Sequence, residues 1–173
     1  MSALGRLGVV WGLAGTALLL LEGVVRLAGQ VRALAFEQLT LIQSLALVSW
    51  CLVMAVAEGY RGFQLHFVPR VVARSWYLGG APRPWHVALA PLFCMGLLHA
   101  SKRRLVGAWG LLAGIIALVL WVRTLSQPWR GIVDAGVVVG LSWGLVALLV
   151  ETVRAVRRGP PRVALDLPVG GGG

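Results

Sequence analysis

Apolar residues in this chain fall into blocks separated by short basic or turn-forming stretches. Residues 7–21 are an unbroken apolar run, shorter than the roughly 20 residues a helix needs to cross a bilayer. The helix is therefore expected to continue, over residues 7–30 and on towards Phe36. A cleaved signal peptide is rejected, because Ala33-Leu34-Ala35 lies beyond Glu22, Arg26 and Arg32 rather than beside the run. A second block covers 39–57, bracketed by Glu37 and Glu58. The third, 86–101, is short, is interrupted by Pro91 and ends at Lys102-Arg103-Arg104. Blocks four and five cover 105–123 and 130–153, with Pro128 marking the start of the last.

The longest polar connection lies between the second and third blocks. Within it Pro69 suits the first turn of a helix and Gly79-Gly80 a stop. Arg70 and Arg74 share one side while Val71, Trp76 and Leu78 supply apolar surface. That predicts a short amphipathic helix over 69–78, lying on the membrane surface. The glycine- and proline-rich tail, 159–173, is expected to be disordered. The whole pattern predicts an all-α integral membrane protein with one transmembrane domain over 1–158. It would have five hydrophobic helices, or four if the third segment is re-entrant, plus the interfacial helix.

Periodicity assigns faces. At about 100° per residue, Gly8, Gly12, Gly15, Glu22, Arg26 and Gly29 share one side of the first helix. Gly107, Gly110, Gly114 and Ala117 line the fourth, and Gly136, Gly140 and Gly144 line the fifth. Small residues let helix backbones approach closely. The first face should therefore meet protein and turn Glu22 and Arg26 away from lipid. The fourth and fifth helices, joined by a short loop, should pack glycine face to glycine face. Asp134 lies about 120° from the Gly136/Gly140/Gly144 stripe, which gives the last helix a second protein-facing side.

Composition agrees with a membrane setting: 58% of residues are hydrophobic, 13% are charged and mean hydropathy is +0.84. Soluble domains carry about 25% charged residues. The net charge of +10 would suggest nucleic acid in a soluble chain. Here the bases flank apolar segments, where they set topology and meet anionic lipid, so no nucleic-acid partner is expected. Fifteen of the 16 bases are arginine; with abundant Gly, Ala, Val and Leu this suggests a GC-rich bacterial source and the inner (cytoplasmic) membrane. Five spans divide the bases about nine to seven, with the N-terminus outside and the C-terminus inside. Four spans divide them about twelve to four, with both ends inside. Cys51 and Cys94 sit in apolar segments and belong to no CxxC or Cys/His cluster, so neither a disulfide nor a zinc site is expected.

Three polar groupings are candidate binding sites. Glu58, Arg61, Gln64, His66, Arg70 and Arg74 form the densest, whose guanidinium groups could hold a phosphate or carboxylate headgroup by paired hydrogen bonds. The plain alternative is charge anchoring with a Glu58–Arg61 contact. Glu22/Arg26 and Arg130/Asp134 are spaced i, i+4; ionisable groups within spans normally face a bundle interior or water. They could relay protons or anchor a polar ligand, or simply satisfy one another, with the N-terminal acid of the last helix favoured by its dipole. His86 and His99 would lie about 20 Å apart on one helix, the wrong arrangement for haem, which needs ligands on opposing helices. No metal or cofactor is expected. Enzyme motifs such as GxSxG, HExxH and the P-loop are missing, so no catalytic residue is assigned.

These features favour a membrane-embedded interaction or assembly protein. Its partners would be the lipid bilayer, anionic lipid included, and another copy or a membrane subunit. A small proton-coupled transporter using Glu22, Arg26 and Asp134 is one alternative. An enzyme acting on a lipid headgroup or isoprenoid at the Glu58–Arg74 shelf is the other.

Overall fold

The computed structural model describes residues 1–34 and 38–165, the side chains of Arg103 and Arg104 excepted. All regular structure among the described residues is helical. Helix α1 covers Ala3–Arg32. A second, unbroken helical rod comprises α2 (Leu41–Met54), a π-wound stretch (Ala55–Phe67) and α3 (Val68–Gly80). Two five-residue helices follow, α4 (Pro84–Ala88) and α5 (Ala90–Cys94), then α6 (Lys102–Val122) and α7 (Trp129–Arg158). Among the described residues, four helical stretches are long and apolar enough to cross a membrane: Ala3–Arg32, Leu41–Gly80, Leu105–Val122 and Trp129–Arg158.

Local chemistry sets the helix starts. Ser2 caps α1, its hydroxyl accepting the Gly5 N–H at 3.1 Å. Thr40 opens α2 with a capping box: its hydroxyl accepts the Gln43 N–H while the Gln43 side chain accepts the Thr40 N–H. No such signal separates α2 from α3. Pro69 follows directly on the π-wound stretch, and the helix continues through it to Gly80. The helix predicted over 69–78 is therefore the end of this rod. Val68, Val71, Val72, Arg74, Ser75 and Leu78 are buried within protein, not laid on a membrane surface.

The third hydrophobic segment, expected as a helix over 86–101, does not form one. It folds into α4 and α5, breaks at Leu89 ahead of Pro91, and turns back at Gly96 and His99, both at positive φ. Pro91 disfavours a helical residue before it and removes a donor. The segment goes in along α1 and returns to the same end. Val87 lies against Gly8, Ala90 and Cys94 against Gly12, and Pro91 against Gly15, while the Trp11 indole N–H donates to the Ala88 carbonyl at 3.2 Å.

Contacts between helices fix their directions. Leu34 meets Gly131 and Gly23 meets Leu141, so α1 and α7 are antiparallel. The Trp50 indole N–H donates to the Val133 carbonyl at 3.2 Å. Further along, Glu58 faces Gly140 and Phe63 faces Gly144, so the rod runs parallel to α7. Both described chain ends therefore lie at one end of the bundle. The main apolar core lies toward that end, joining Leu20 of α1, Val68, Val71, Val72 and Leu78 of α3, Phe93 and Cys94 of α5, and Leu148 of α7.

The glycine faces do not pair as expected. Gly136, Gly140 and Gly144 pack against the rod, not against α6. A Cβ at Gly140 would sit 3.0 Å from Glu58 Cβ, and one at Gly144 would sit 2.6 Å from Phe63 Cγ. A Cβ at Gly107, Gly110 or Gly114 of α6 would meet nothing within 4 Å among the described residues. A short loop brings two helices near one another at one end, but side-chain volume decides which faces meet. The bulky Trp50 and Phe63 of the rod fit the hollows of α7; a second glycine face would leave them empty.

Candidate functional site

The polar cluster between Glu58 and Arg74 is spread along the rod and resolves into two parts. On the π-wound stretch Glu58 faces α7 at Gly140, and the Nδ1–H of His66 donates to the Arg61 carbonyl at 2.6 Å. Gln64 accepts the Trp143 indole N–H at 2.8 Å. The Arg61 side chain is exposed. These contacts join the rod to α7 or close a turn upon itself.

Arg74, on α3, is 3% exposed and ties three segments together. Its Nε–H donates to the Phe93 carbonyl at 2.7 Å. One terminal nitrogen donates to the Leu165 carbonyl at 2.6 Å, and the other to those of Leu98 and His99 at 2.9 and 3.1 Å. The guanidinium carbon also lies 4.4 Å from the centre of the Phe93 ring, within cation–π range. Arginine suits this position because its rigid fork offers five donors in fixed directions. Arg70, one turn earlier, borders with it a cavity of about 10 Å³, room for about one water. Carbonyls of the chain itself thus take up the donors of Arg74.

Beside Arg74 stands a group that helical periodicity hides. The rings of His86 and His99, 13 residues apart, lie 4.8 Å from each other; His86 also lies 4.0 Å from Trp85 and 4.9 Å from Phe93. The hairpin made by α4 and α5 brings them together, and Arg74, by holding the Leu98 and His99 carbonyls, fixes the left-handed backbone at His99 (φ 50°). His86 is buried, and its Nε2 has no hydrogen-bond partner among the described residues. Burial, then the positive charge of His99, Arg83 and Arg74, lowers its pKa below the usual histidine value. Pro91, Gly96 and the shortness of the segment were the signals for such a hairpin. Among the described residues, no three His, Cys, Asp or Glu side chains come together as a metal-holding group.

The two i, i+4 pairs form but stay separate. Arg26 Nη1 and Glu22 Oε1 are 3.7 Å apart, with side chains 70% and 66% exposed. The face that carries them was expected to be covered along its length. Among the described residues its glycines are covered from Gly5 to Gly15, Pro91 lying against Gly15, while nothing lies within 4 Å of Gly29. Arg130 and Asp134 are 3.9 Å apart, with the aspartate buried and the guanidinium partly so. Gly23, beside Glu22, meets α7 at Leu141, about two turns beyond Asp134. The pairs therefore sit at different levels of the bundle.

Compared with family models, curated proteins and solved structures, the chain matches none.

Proposed function

We propose that this chain is a four-span protein of the bacterial inner membrane that serves interaction or assembly within the bilayer rather than catalysis. The observation that carries the reading is α6. It is apolar enough to span, and among the described residues it packs along no other helix of the bundle and Gly107, Gly110 and Gly114 meet nothing within 4 Å. Every glycine of α1 from Gly5 to Gly15 and of α7 from Gly131 to Gly144 is, by contrast, filled by a neighbour. A bare small-residue face is what a second transmembrane helix needs for close approach. The partner is another copy or a membrane subunit.

Orientation follows from the four-span arrangement. Arg32, Arg123 and Arg130 fall at the end where α1 stops and α7 starts, with Arg26 two turns into α1; the other bases lie from mid-bundle to the opposite end. By the positive-inside rule that richer end, with both described chain ends, faces the cytoplasm. It would also attract anionic lipid.

The test is assembly in liposomes, read by single-molecule photobleaching. Association should fall at least about fivefold in Gly110→Leu and Gly114→Leu while the monomer stays folded. A wild-type chain that is monomeric in mild detergent and in bilayers, and that co-purifies with no membrane subunit, would refute the reading.

A further inference from the structure

Between the rod and α7 runs an open groove of about 610 Å³. Its walls include Val68, Val138, Val146 and Val150, and Glu151 and Arg154 stand at one end. Val146 and Val150 are exposed on its outer side, so it opens laterally. From Val138 to Val150 the helical rise gives about 18 Å. The hydrocarbon of one leaflet is about 15 Å thick. Resting on the reading of this chain as bilayer-embedded, the groove has the length and lining of an acyl-chain site whose mouth lies at the basic end.

The mouth carries both charges. Arg154 Nη1 and Glu151 Oε2 are 3.4 Å apart, with the arginine 63% and the glutamate 22% exposed. An exposed pair of this kind is worth at most about 1 kcal/mol, so either partner is readily exchanged. A purely anionic headgroup would meet Glu151, and a purely cationic one would meet Arg154. We propose that the groove binds one phospholipid with an ethanolamine-type headgroup. Its phosphodiester takes paired hydrogen bonds from Arg154, and its primary ammonium donates to Glu151. Residues three apart on a helix have Cβ atoms about 5–6 Å apart, and the two-carbon link of ethanolamine holds its two charges within a comparable reach. Gln64 and Trp143, joined by their hydrogen bond, leave the groove wall without an unpaired indole N–H.

Native mass spectrometry tests this on the full chain, delipidated in detergent and offered equal amounts of phosphatidylethanolamine, phosphatidylcholine and phosphatidylglycerol with identical acyl chains. The wild type should retain the ethanolamine lipid at least about fivefold over either other, a margin of about 1 kcal/mol. Glu151→Gln should abolish its advantage over the glycerol lipid, and Arg154→Gln should weaken retention of all three. Val146→Trp, an exposed position that narrows the groove, should reduce total lipid bound. Soluble glycerophosphoethanolamine should not compete. Equal retention of the three lipids, preference for the glycerol lipid, or an ethanolamine preference unchanged in both charge variants would overturn the site. Release of the chain from membranes by alkaline carbonate would overturn the bilayer reading itself; a carbonate-resistant chain without ethanolamine preference overturns the groove alone.

Discussion

Arg74 is the residue whose loss should disturb this fold most. Its guanidinium donates to four carbonyls, at Phe93, Leu98, His99 and Leu165. Arg74→Ala removes all four donors and the contact with the Phe93 ring. Hydrogen bonds to a charged group are each worth about 1.5–3 kcal/mol, but burying the guanidinium costs several kcal/mol, and water entering the vacated space would recover part of the loss. The net destabilisation should be about 3–5 kcal/mol, large for a single substitution. At roughly 2–4 °C per kcal/mol for a chain of this size, the midpoint should fall by about 10 °C. Arg74→Lys keeps the charge, but one nitrogen cannot reach carbonyls that the fork meets from three sides, so it should restore less than half of the loss. Thermal unfolding in detergent measures both variants, and limited proteolysis around residues 95–101 reports whether the hairpin has come loose. A midpoint within about 2 °C of wild type in Arg74→Ala, with the hairpin still protected, would refute the reasoning.

Three further predictions use the same unfolding assay or a chemical probe. Gly144→Leu should destabilise by at least about 2 kcal/mol, because its side chain must displace Phe63; Gly110→Leu, facing open space, should stay within about 0.5 kcal/mol in the monomer, and the reverse ranking would contradict the packing. Because the pKa of His86 is lowered in the fold, the unfolded chain binds a proton first as pH falls. Stability should be flat above about pH 6.5 in this respect and decline below it; His86→Phe should flatten that decline, and an identical profile in the variant would count against a neutral, buried His86. Burial pushes the Cys94 thiol up to about 12, so a maleimide at pH 8 should label it only after unfolding; rapid labelling of the folded chain at Cys94 would show the α1–α5 contact to be open.

The sequence carried the helices that depend on apolar length and on local caps. The blocks at 7–30, 105–123 and 130–153 correspond to α1, α6 and α7, because a long apolar run needs no partner to declare itself. The i, i+4 pairs were equally legible, since helical geometry alone brings Glu22 to Arg26 and Arg130 to Asp134. The hairpin at 86–101 was half legible: Pro91 announced a break, but a break does not say whether the chain crosses or returns. Arg74 was singled out for its charge, yet its partners are backbone carbonyls, which have no signature in side-chain chemistry. The groove beside α7 was invisible for a related reason. Val68 and Val150 are ordinary apolar residues until two helices set them on facing walls.

What the sequence determined by itself is therefore what one helix can decide alone: its length, its caps, its glycine stripes and the residues one turn apart. Tertiary structure decided which stripes are filled. Gly136, Gly140 and Gly144 received Trp50, Glu58 and Phe63 from a helix distant in sequence, while Gly107, Gly110 and Gly114 received nothing from the described residues. A stripe of small residues is a hollow, and a hollow specifies the volume of its partner without naming it. The match of volumes between α7 and the rod made that choice, and the same match left α6 bare.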